Sequence, residues 1–244
     1  MNDSSMMRVP PAWRERGQTI NEPDEFSIED EKFDLIYPPQ VRDLSPVFWT
    51  PVAVAAEAAK LLAPQSTTRV LDIGCGPGKF CLVAASLSEG RFTGVEQRGE
   101  LVAAAQRAAA ELRLSEVEFR HANITDVSFS EWDAFYLFNP FEENICEGYK
   151  IDSAVPLSIR LFKRYTIYVA EQFAGLPHGT RVVTYMGYGD EIPSCYDCEQ
   201  TFFRDDLKLW VKTREYDAAV ERLGLRPSRS YRGTAGWQPP RRPV

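Results

Sequence analysis

Short apolar runs alternate with helix-favouring segments along most of the chain. Runs rich in β-branched and aromatic residues predict five strands, at Arg69–Ile73, Arg91–Glu96, Val117–Arg120, Asp133–Phe138 and Thr180–Met186. Segments rich in helix formers, or apolar at helical spacing, predict helices at Val52–Leu62, Lys79–Leu87, Glu100–Leu112 and Ala154–Ala174. This alternation indicates βαβ units and a mainly parallel sheet covered on both faces.

The segment after the fifth strand follows a different pattern. Thr201–Phe203 and Leu207–Thr213 flank the turn-forming residues Arg204–Asp206, which predicts an antiparallel hairpin. Glu215–Leu223 is predicted as a final helix. We therefore expect an α/β fold, a three-layer αβα sandwich with a mainly parallel seven-stranded sheet and an antiparallel C-terminal hairpin.

Both ends of the chain lack a sustained hydrophobic period. Residues 1–44 are polar at first and contain several prolines, so we expect an N-terminal arm that is partly extended. Residues 226–244 contain four Pro and five Arg, which predicts a basic tail. The domain that carries the chemistry is then expected at residues 45–225.

Composition places the chain among ordinary globular proteins. It has 244 residues, of which 44% are hydrophobic and 26% charged. The five cysteines are odd in number and scattered, so they fit a reducing compartment better than a disulfide framework. No apolar run approaches the roughly 20 residues of a membrane span. We therefore expect a cytoplasmic protein with no membrane association.

The net charge of −7 is distributed unevenly. Residues 201–244 contain ten Lys/Arg and five Asp/Glu, so the rest of the chain is more acidic than the total suggests. The densest acidic run, Glu22–Asp34, has seven acids and one Lys. An acidic body disfavours non-specific binding to nucleic acid, although both biased ends can also be solvated flanking segments.

The loop after the first predicted strand, Asp72-Ile73-Gly74-Cys75-Gly76-Pro77-Gly78, carries the most information. Glycines between a buried strand and a helix let the backbone turn tightly and approach a ligand. A Walker loop needs two glycines five positions apart and Ser or Thr after the Lys, and this loop has neither. The third glycine also comes one position too early for a dinucleotide fingerprint, which argues against an NAD-dependent oxidoreductase.

Val70–Gly78 resembles the first motif of the class I (Rossmann-like) S-adenosylmethionine (SAM) methyltransferases. The resemblance implies SAM as cofactor, with the Asp72 carboxylate serving its ammonium group directly or through the loop. It also implies that the loop residues and one upstream residue contact the cofactor: Gly74, Cys75, Gly76, Gly78 and Thr50. We expect Thr50 to cap the helix that starts at Pro51 as well.

Two further positions follow the same resemblance. Glu96 ends the second strand, where an acid accepts hydrogen bonds from both ribose hydroxyls. Asn123 follows the third strand, where the family commonly places a residue that meets the adenine amino group, and Ile124 would pack on the ring. As an alternative, Asn123 is simply a turn residue.

Asn139-Pro140-Phe141 ends the fourth strand, beside the expected position of the methyl group. It resembles the Asn-Pro-Pro-Tyr/Phe motif of amino-group methyltransferases, with one Pro instead of two. This implies that Asn139, Pro140 and Phe141 hold the acceptor, with Asn139 also beside the cofactor. The same segment and the following helix also resemble Dot-one-like protein-lysine methyltransferases, with Pro140 in place of a second Asn.

The resemblance leaves the methyl acceptor open. We expect a protein lysine, with Glu22–Asp34 holding a Lys-rich peptide and Phe141, Tyr165 and Tyr168 lining an aromatic channel. The alternatives are an amino group of RNA or DNA, bound by the basic tail, and a catalytically silent SAM-binding module. Because Cys195 and Cys198 form a single CxxC pair and structural zinc needs four ligands, we expect no metal site.

Overall fold

A seven-stranded sheet forms the centre of our computed structural model, which describes residues 28–146, 150–187 and 189–222. The strands are β1 (Arg69–Ile73), β2 (Arg91–Glu96), β3 (Val117–His121), β4 (Ala134–Phe138), β5 (Arg181–Tyr185), β6 (Tyr196–Phe202) and β7 (Leu207–Lys212). Their order across the sheet is β3-β2-β1-β4-β5-β7-β6. Strands β1 to β5 pair in parallel, and β7 pairs antiparallel with both β5 and β6. The predicted fold class is confirmed.

Strand β1 pairs with β2 on one side and with β4 on the other, so the strand order reverses at β1. In open α/β sheets, ligands bind beyond the carboxyl ends of the strands at such a reversal. The segments that follow β1, β2 and β4 at that edge contain the glycine loop, Glu96 and Asn139.

The helices cover both faces of the sheet. They are α1 (Ile28–Asp34), α2 (Pro39–Arg42), α3 (Ser45–Phe48), α4 (Val52–Leu62), α5 (Lys79–Leu87), α6 (Gly99–Leu112), α7 (Ile159–Ala174) and α8 (Ala218–Arg222). Helices α4, α5 and α6 contribute to one apolar cluster, and α7 contributes to a second cluster on the opposite face. No helix in the described part of the chain is both long and apolar enough to cross a membrane.

Three predicted boundaries were wrong by three to five residues. Helix α8 begins at Ala218 and not at Glu215, because the Asp217 carboxylate accepts the Ala219 N–H at 2.7 Å. Helix α7 begins at Ile159 and not at Ala154, because the Ser158 hydroxyl accepts the Leu161 N–H and caps the helix there. Strand β6 begins at Tyr196 and not at Thr201, because the exposed polar residues before Thr201 still pair with β7 at the sheet edge. Exposure on both sides leaves such an edge strand without an apolar alternation to detect.

Residues 28–44 are helical and packed, so the expectation of a partly extended arm was wrong for this part. Phe33 and Tyr37 are buried in the same cluster as helices α4 to α6. The Tyr37 hydroxyl donates a hydrogen bond to the Pro77 carbonyl of the glycine loop at 3.1 Å. The predicted domain boundary at residue 45 therefore divides one packed unit. Residues 1–27 and the predicted tail at 226–244 lie outside the described residues.

Three buried charges connect this N-terminal segment to helix α5. Lys79 Nζ lies 2.8 Å from carboxylate oxygens of both Asp30 and Asp34, and each of the three side chains is at most 2% exposed. Lys79 also donates to the Ser45 hydroxyl at 3.0 Å. We call Asp30, Asp34 and Lys79 the buried triad. Two acids of the run that was expected to hold a Lys-rich peptide are thus already paired inside the protein.

Candidate active site

A cleft of about 400 Å³ opens at the carboxyl ends of β1, β2 and β4. It brings together most of the predicted site residues: Gly74, Gly76, Glu96, Asn123, Ile124, Asn139, Pro140 and Phe141. Residues 46–49 and Pro51 form one wall, which the sequence analysis had not assigned to the site. The cleft therefore lies between the glycine loop, the turn after β4 and the N-terminal segment.

The glycine loop is tightly packed by the protein itself. Gly74 and Gly76 have φ values of +74° and +55°, which other residues adopt only with strain. A Cβ atom on Gly74 would lie 2.6 Å from Pro140, and one on Gly76 would lie 2.6 Å from the Trp49 ring. The glycines are required because the loop is pressed between the β4 turn and the N-terminal wall, with its open side toward the cleft.

Glu96 holds the loop through its carboxylate. One oxygen accepts the Gly76 N–H at 3.2 Å, and the other accepts the Arg98 N–H at 2.8 Å. Burial raises the pKa of Glu96, while these hydrogen bonds and the Arg98 charge oppose that shift. A carboxylate oxygen can accept more than one hydrogen bond, so Glu96 retains the capacity to bind paired hydroxyls at the cleft.

Arg98 is a cleft residue that the sequence analysis missed. Its guanidinium is 4% exposed and pairs with Glu143 at 2.9 Å and with Asp152 at 3.0 Å, while its closest approach to Glu96 is 3.9 Å. Glu143 also accepts the Ile151 N–H at 2.8 Å. Arg98 thereby holds the loop after β4 against the loop after β2. No motif marks Arg98 in the sequence, since its partners lie far along the chain.

Asp72 and Thr50 do not line the cleft, and their contacts with a cofactor stay a prediction. The Asp72 carboxylate is buried on the α5 side of the sheet, where it accepts a bond from the Cys81 thiol at 3.6 Å. Burial raises the pKa of Asp72 to about 8, with Glu96 adding to the shift. The Thr50 hydroxyl instead lies 3.1 Å from the Tyr136 hydroxyl, and Pro51 occupies the helix cap without a side-chain bond.

Two further loop positions also lie outside the cleft lining, Cys75 and Gly78. A Cβ atom on Gly94 would lie 2.6 Å from the Cys75 sulfur, so this side chain fills the space above β2. Gly78 has φ +78° and starts helix α5, and a Cβ there would collide with Phe119 at 2.3 Å. Cys75 and Gly78 therefore contribute to the packing of the loop on its side away from the cleft.

Asn123 uses its amide within the protein. The amide oxygen accepts the Thr125 N–H at 3.1 Å and the Thr125 hydroxyl at 2.9 Å, which caps a short 3₁₀ turn at Ile124–Asp126. The amide nitrogen donates to the Tyr165 hydroxyl at 3.0 Å. These bonds occupy the oxygen that was expected to meet adenine, and the alternative of a turn residue describes Asn123 better. Its effect on the cleft is to position Tyr165.

Asn139 is a cleft residue with an unusual backbone conformation and a fixed side chain. Its backbone has φ +39°, and its amide nitrogen donates to Glu142 Oε2 at 3.0 Å. Glu142 is partly buried, and burial raises the pKa of its carboxyl group. Within the described part of the chain, no donor is bonded to Asn139 Oδ1. Glu142 therefore fixes the amide with its oxygen free to accept.

Aromatic rings form the wall next to Asn139. Phe141 and Tyr165 both line the cleft, with ring centroids 5.3 Å apart at 36°. Tyr168 lies elsewhere: its hydroxyl donates to the Val127 carbonyl at 2.8 Å, and its ring packs on Phe129. Of the three aromatic residues expected to form an acceptor channel, Phe141 and Tyr165 thus line the cleft and Tyr168 does not, and the channel itself stays a prediction.

Comparison with known protein families identifies the domain that contains this cleft. Residues 64–146 match the family model described as a methyltransferase domain. Residues 64–146 thus carry a methyltransferase domain. The matched region contains the glycine loop, Glu96 and the turn at Asn139. Among the described residues, no group of three or more His, Cys, Asp or Glu side chains is arranged to hold a metal ion.

Curated relatives share part of this methyltransferase domain. The 23S rRNA (uracil(1939)-C(5))-methyltransferase RlmD of Shewanella sp. (strain MR-7) is 40% identical over 81 residues, 33% of this chain and 18% of the relative. The 23S rRNA (uracil(747)-C(5))-methyltransferase RlmC of Halothiobacillus neapolitanus is 32% identical over 90 residues, 35% of this chain and 24% of the relative. The chain thus spans about a fifth of the length of these relatives.

A solved structure shows the same fold over a larger share of the chain. It is an RNA methyltransferase from Salinibacter ruber in complex with S-adenosyl-L-homocysteine, with a TM-score of 0.51 and 23% sequence identity. The alignment covers 69% of this chain and 96% of that protein. These relatives are not Dot-one-like lysine methyltransferases, and that resemblance stays a prediction.

Proposed function

We propose that this protein is a SAM-dependent methyltransferase that methylates an amino group of an RNA base. The observation that carries the proposal is the cleft residue Asn139, whose amide nitrogen donates to Glu142 at 3.0 Å and whose amide oxygen accepts no bond among the described residues. An exocyclic base amine has N–H groups for such an acceptor. The methyltransferase domain and the RNA methyltransferases similar to it support the reaction and the class of acceptor.

The cleft fits the proposed cofactor at several points. The loop at Gly74 and Gly76 leaves its backbone open for the amino-acid part of SAM, and Glu96 is placed to accept ribose hydroxyls. Ile124 offers an apolar surface for the adenine ring. When bound, SAM supplies an activated methyl group on a sulfonium. The fit of hydroxyl-accepting and apolar groups along one cleft supports SAM over a cofactor with a pyrophosphate.

The chain's own residues then position the acceptor. Asn139 Oδ1 would accept one N–H of the amine and hold the nitrogen in line with the methyl group of a bound cofactor, and the nitrogen would release one proton to water as the N–C bond forms. Phe141 and Tyr165 give a base an aromatic surface to stack on, which is sequence-tolerant and worth about 1–3 kcal/mol per base. Glu142 acts indirectly, since its bond to the amide nitrogen prevents Asn139 from rotating.

A protein lysine is less well supported as the acceptor. A lysine must lose its proton first, which costs roughly 4–5 kcal/mol at pH 7 from a reference pKa near 10.4. Two acids of the run that was expected to hold a Lys-rich peptide are not available, because Asp30 and Asp34 are paired with Lys79 in the buried triad. The amine of a nucleobase is already neutral and needs no such step.

The C5 carbon of uracil is a second candidate acceptor, because the curated relatives are named for it. Methylation of an unactivated pyrimidine carbon calls for a nucleophile, and Cys146 lines the cleft. However, burial and the neighbouring Glu142 raise the pKa of the Cys146 thiol, which disfavours the reactive thiolate. Cys146→Ser should therefore leave the rate of methyl transfer within about twofold of that of the unmodified protein. If the reaction were C5 methylation through this thiol, the same change would abolish it.

The test measures transfer of labelled methyl groups from SAM to RNA and protein fractions of cells that lack the gene. We expect label in RNA, sensitive to nuclease, and a methylamino nucleoside on mass spectrometry. Asn139→Ala should lower turnover at least tenfold, about 1.4 kcal/mol or more, with SAM affinity nearly unchanged. Gln65→Ala, which removes an exposed amide outside the cleft lining, is the control. Label in protein alone, or full turnover by Asn139→Ala, would contradict the proposal.

A further inference from the structure

Helix α7 presents a basic outer face. Arg160, Lys163 and Arg164 are exposed and lie three and four positions apart, so they are neighbours on the helix surface. Ile159 and Ile167 on the same side are 64% and 57% exposed. The opposite side of the helix is buried against the sheet. We call the set Ile159, Arg160, Lys163, Arg164 and Ile167 the α7 basic face.

The charge of the α7 basic face is not neutralised by the surrounding protein. Within the described part of the chain, Arg160, Lys163 and Arg164 form no ion pair or side-chain hydrogen bond. Arg120 and Arg214, by contrast, are bonded to carboxylates at 2.8–2.9 Å. Along α7 itself, the next acid on this side is Glu171, about one turn beyond Ile167, and the turns packed against α7 contribute Asp126, Glu142 and Glu143. Three unneutralised cations stand out on a chain whose net charge is −7.

The first turns of α7 lie beside the mouth of the cleft. The Ser158 N–H, at the helix start, donates to the Asn144 side chain of the loop after β4 at 3.2 Å. Tyr165, on the buried side of α7 and about half a turn round the helix from the α7 basic face, lines the cleft together with Phe141. A polymer with one unit inserted next to Asn139 would therefore reach the α7 basic face by passing around the first turn of α7.

We infer that the α7 basic face binds the sugar-phosphate backbone of a single-stranded RNA acceptor whose target base enters the cleft. This inference rests on the proposed function and deepens it. The cations complement phosphates, and a target base must leave its stack to reach the reacting centre, which is easiest in a single strand. Exposed Ile159 and Ile167 give flanking bases an apolar surface. The expected RNA site is thus on α7 and does not require the predicted tail.

The test compares two triple variants with equal loss of charge. R160A/K163A/R164A removes the three cations of the α7 basic face. K60A/R91A/R107A is the matched control, because Lys60 and Arg107 are exposed on helices of the face opposite α7 and Arg91 is exposed at the amino end of β2. The probe is a short, unstructured RNA oligonucleotide labelled with fluorescein, read by anisotropy over a range of salt. Calorimetry with SAM and denaturation midpoints verify that each variant is folded.

The first variant should bind the RNA at least tenfold more weakly, and its salt dependence should decrease by about two in log–log slope. The control should bind within twofold of the unmodified protein. Equal loss in both variants, or no loss in the first, would overturn the inference even if labelled methyl still reaches RNA. Label in protein alone refutes the proposed function, and loss of poly-glutamate binding in the first variant would then assign the face to an acidic protein.

Discussion

Removal of the Lys79 ammonium gives the sharpest test of how the cleft wall is held. Lys79→Met keeps most of the side-chain volume but deletes the only charge that lies 2.8 Å from both Asp30 and Asp34 among the described contacts. Both carboxylates are at most 2% exposed, so water cannot replace the lost partner. The change therefore leaves two adjacent acids buried in the core.

The magnitude follows from this burial. Breaking a buried ion pair by removing one partner typically destabilises a protein by about 3–5 kcal/mol. Burial already raises the pKa of Asp34 in the intact protein, and loss of Lys79 removes the main opposing influence. In the variant, the folded state should therefore hold protons that the unfolded state releases. Its deficit in stability should grow as the pH rises above the ordinary aspartate range and shrink below it.

Urea denaturation at several pH values measures this deficit. Lys60→Met is the matched control, because Lys60 is 65% exposed and its pair with Glu57 is a surface pair worth at most about 1 kcal/mol. Addition of Asp34→Asn to Lys79→Met should recover part of the loss by removing one buried charge. A loss below about 1 kcal/mol, or a loss equal to that of Lys60→Met, would refute the reasoning.

Three further predictions concern the glycine loop and its surroundings. Glu96→Ala should weaken SAM binding by about 1–3 kcal/mol in calorimetry, whereas the exposed neighbour Glu100→Ala should not, and equal affinities would place the ribose elsewhere. Asp72 has a folded-state pKa of about 8, so its contribution to stability falls as the pH rises from about 4 to 8. Asp72→Asn should flatten that fall in urea midpoints, and an unchanged slope would contradict it. Gly76→Ala should destabilise the fold by roughly 1–3 kcal/mol, because its Cβ meets the Trp49 ring at a positive φ, and an unchanged thermal midpoint would count against that packing.

Strands β1 to β5 were predicted to within one residue because each is a buried apolar run with clear breaks at its ends. The cleft could also be predicted in outline, since the glycine loop, Glu96 and Asn139 each follow a strand at the same sheet edge. Successive side chains of a β-strand point to opposite faces of the sheet, which explains why Asp72 does not line the cleft. Leu71 and Ile73 pack in the cluster on the α7 side, so Asp72 between them points to the α5 side.

The N-terminal segment could not be predicted from local pattern. Asp30 and Asp34 are typical of a solvated acidic run, and they are buried only because Lys79, far along the chain, meets them in space. Arg98 is similar, since its partners Glu143 and Asp152 lie beyond β4. A pairwise charge interaction between distant segments leaves no period and no spacing in the sequence. Such residues become visible only when the fold brings their partners together.

The position of Arg98 has a consequence for the order of events in a catalytic cycle. Its bonds to Glu143 and Asp152 hold the acceptor-side loop over Glu96, the acid placed for the ribose. A cofactor that enters or leaves along that edge has to separate these ion pairs, while an acceptor stacked on Phe141 rests on the same loop and holds it down. If the proposed function holds, we expect ordered kinetics, in which the cofactor binds first and its demethylated product leaves last.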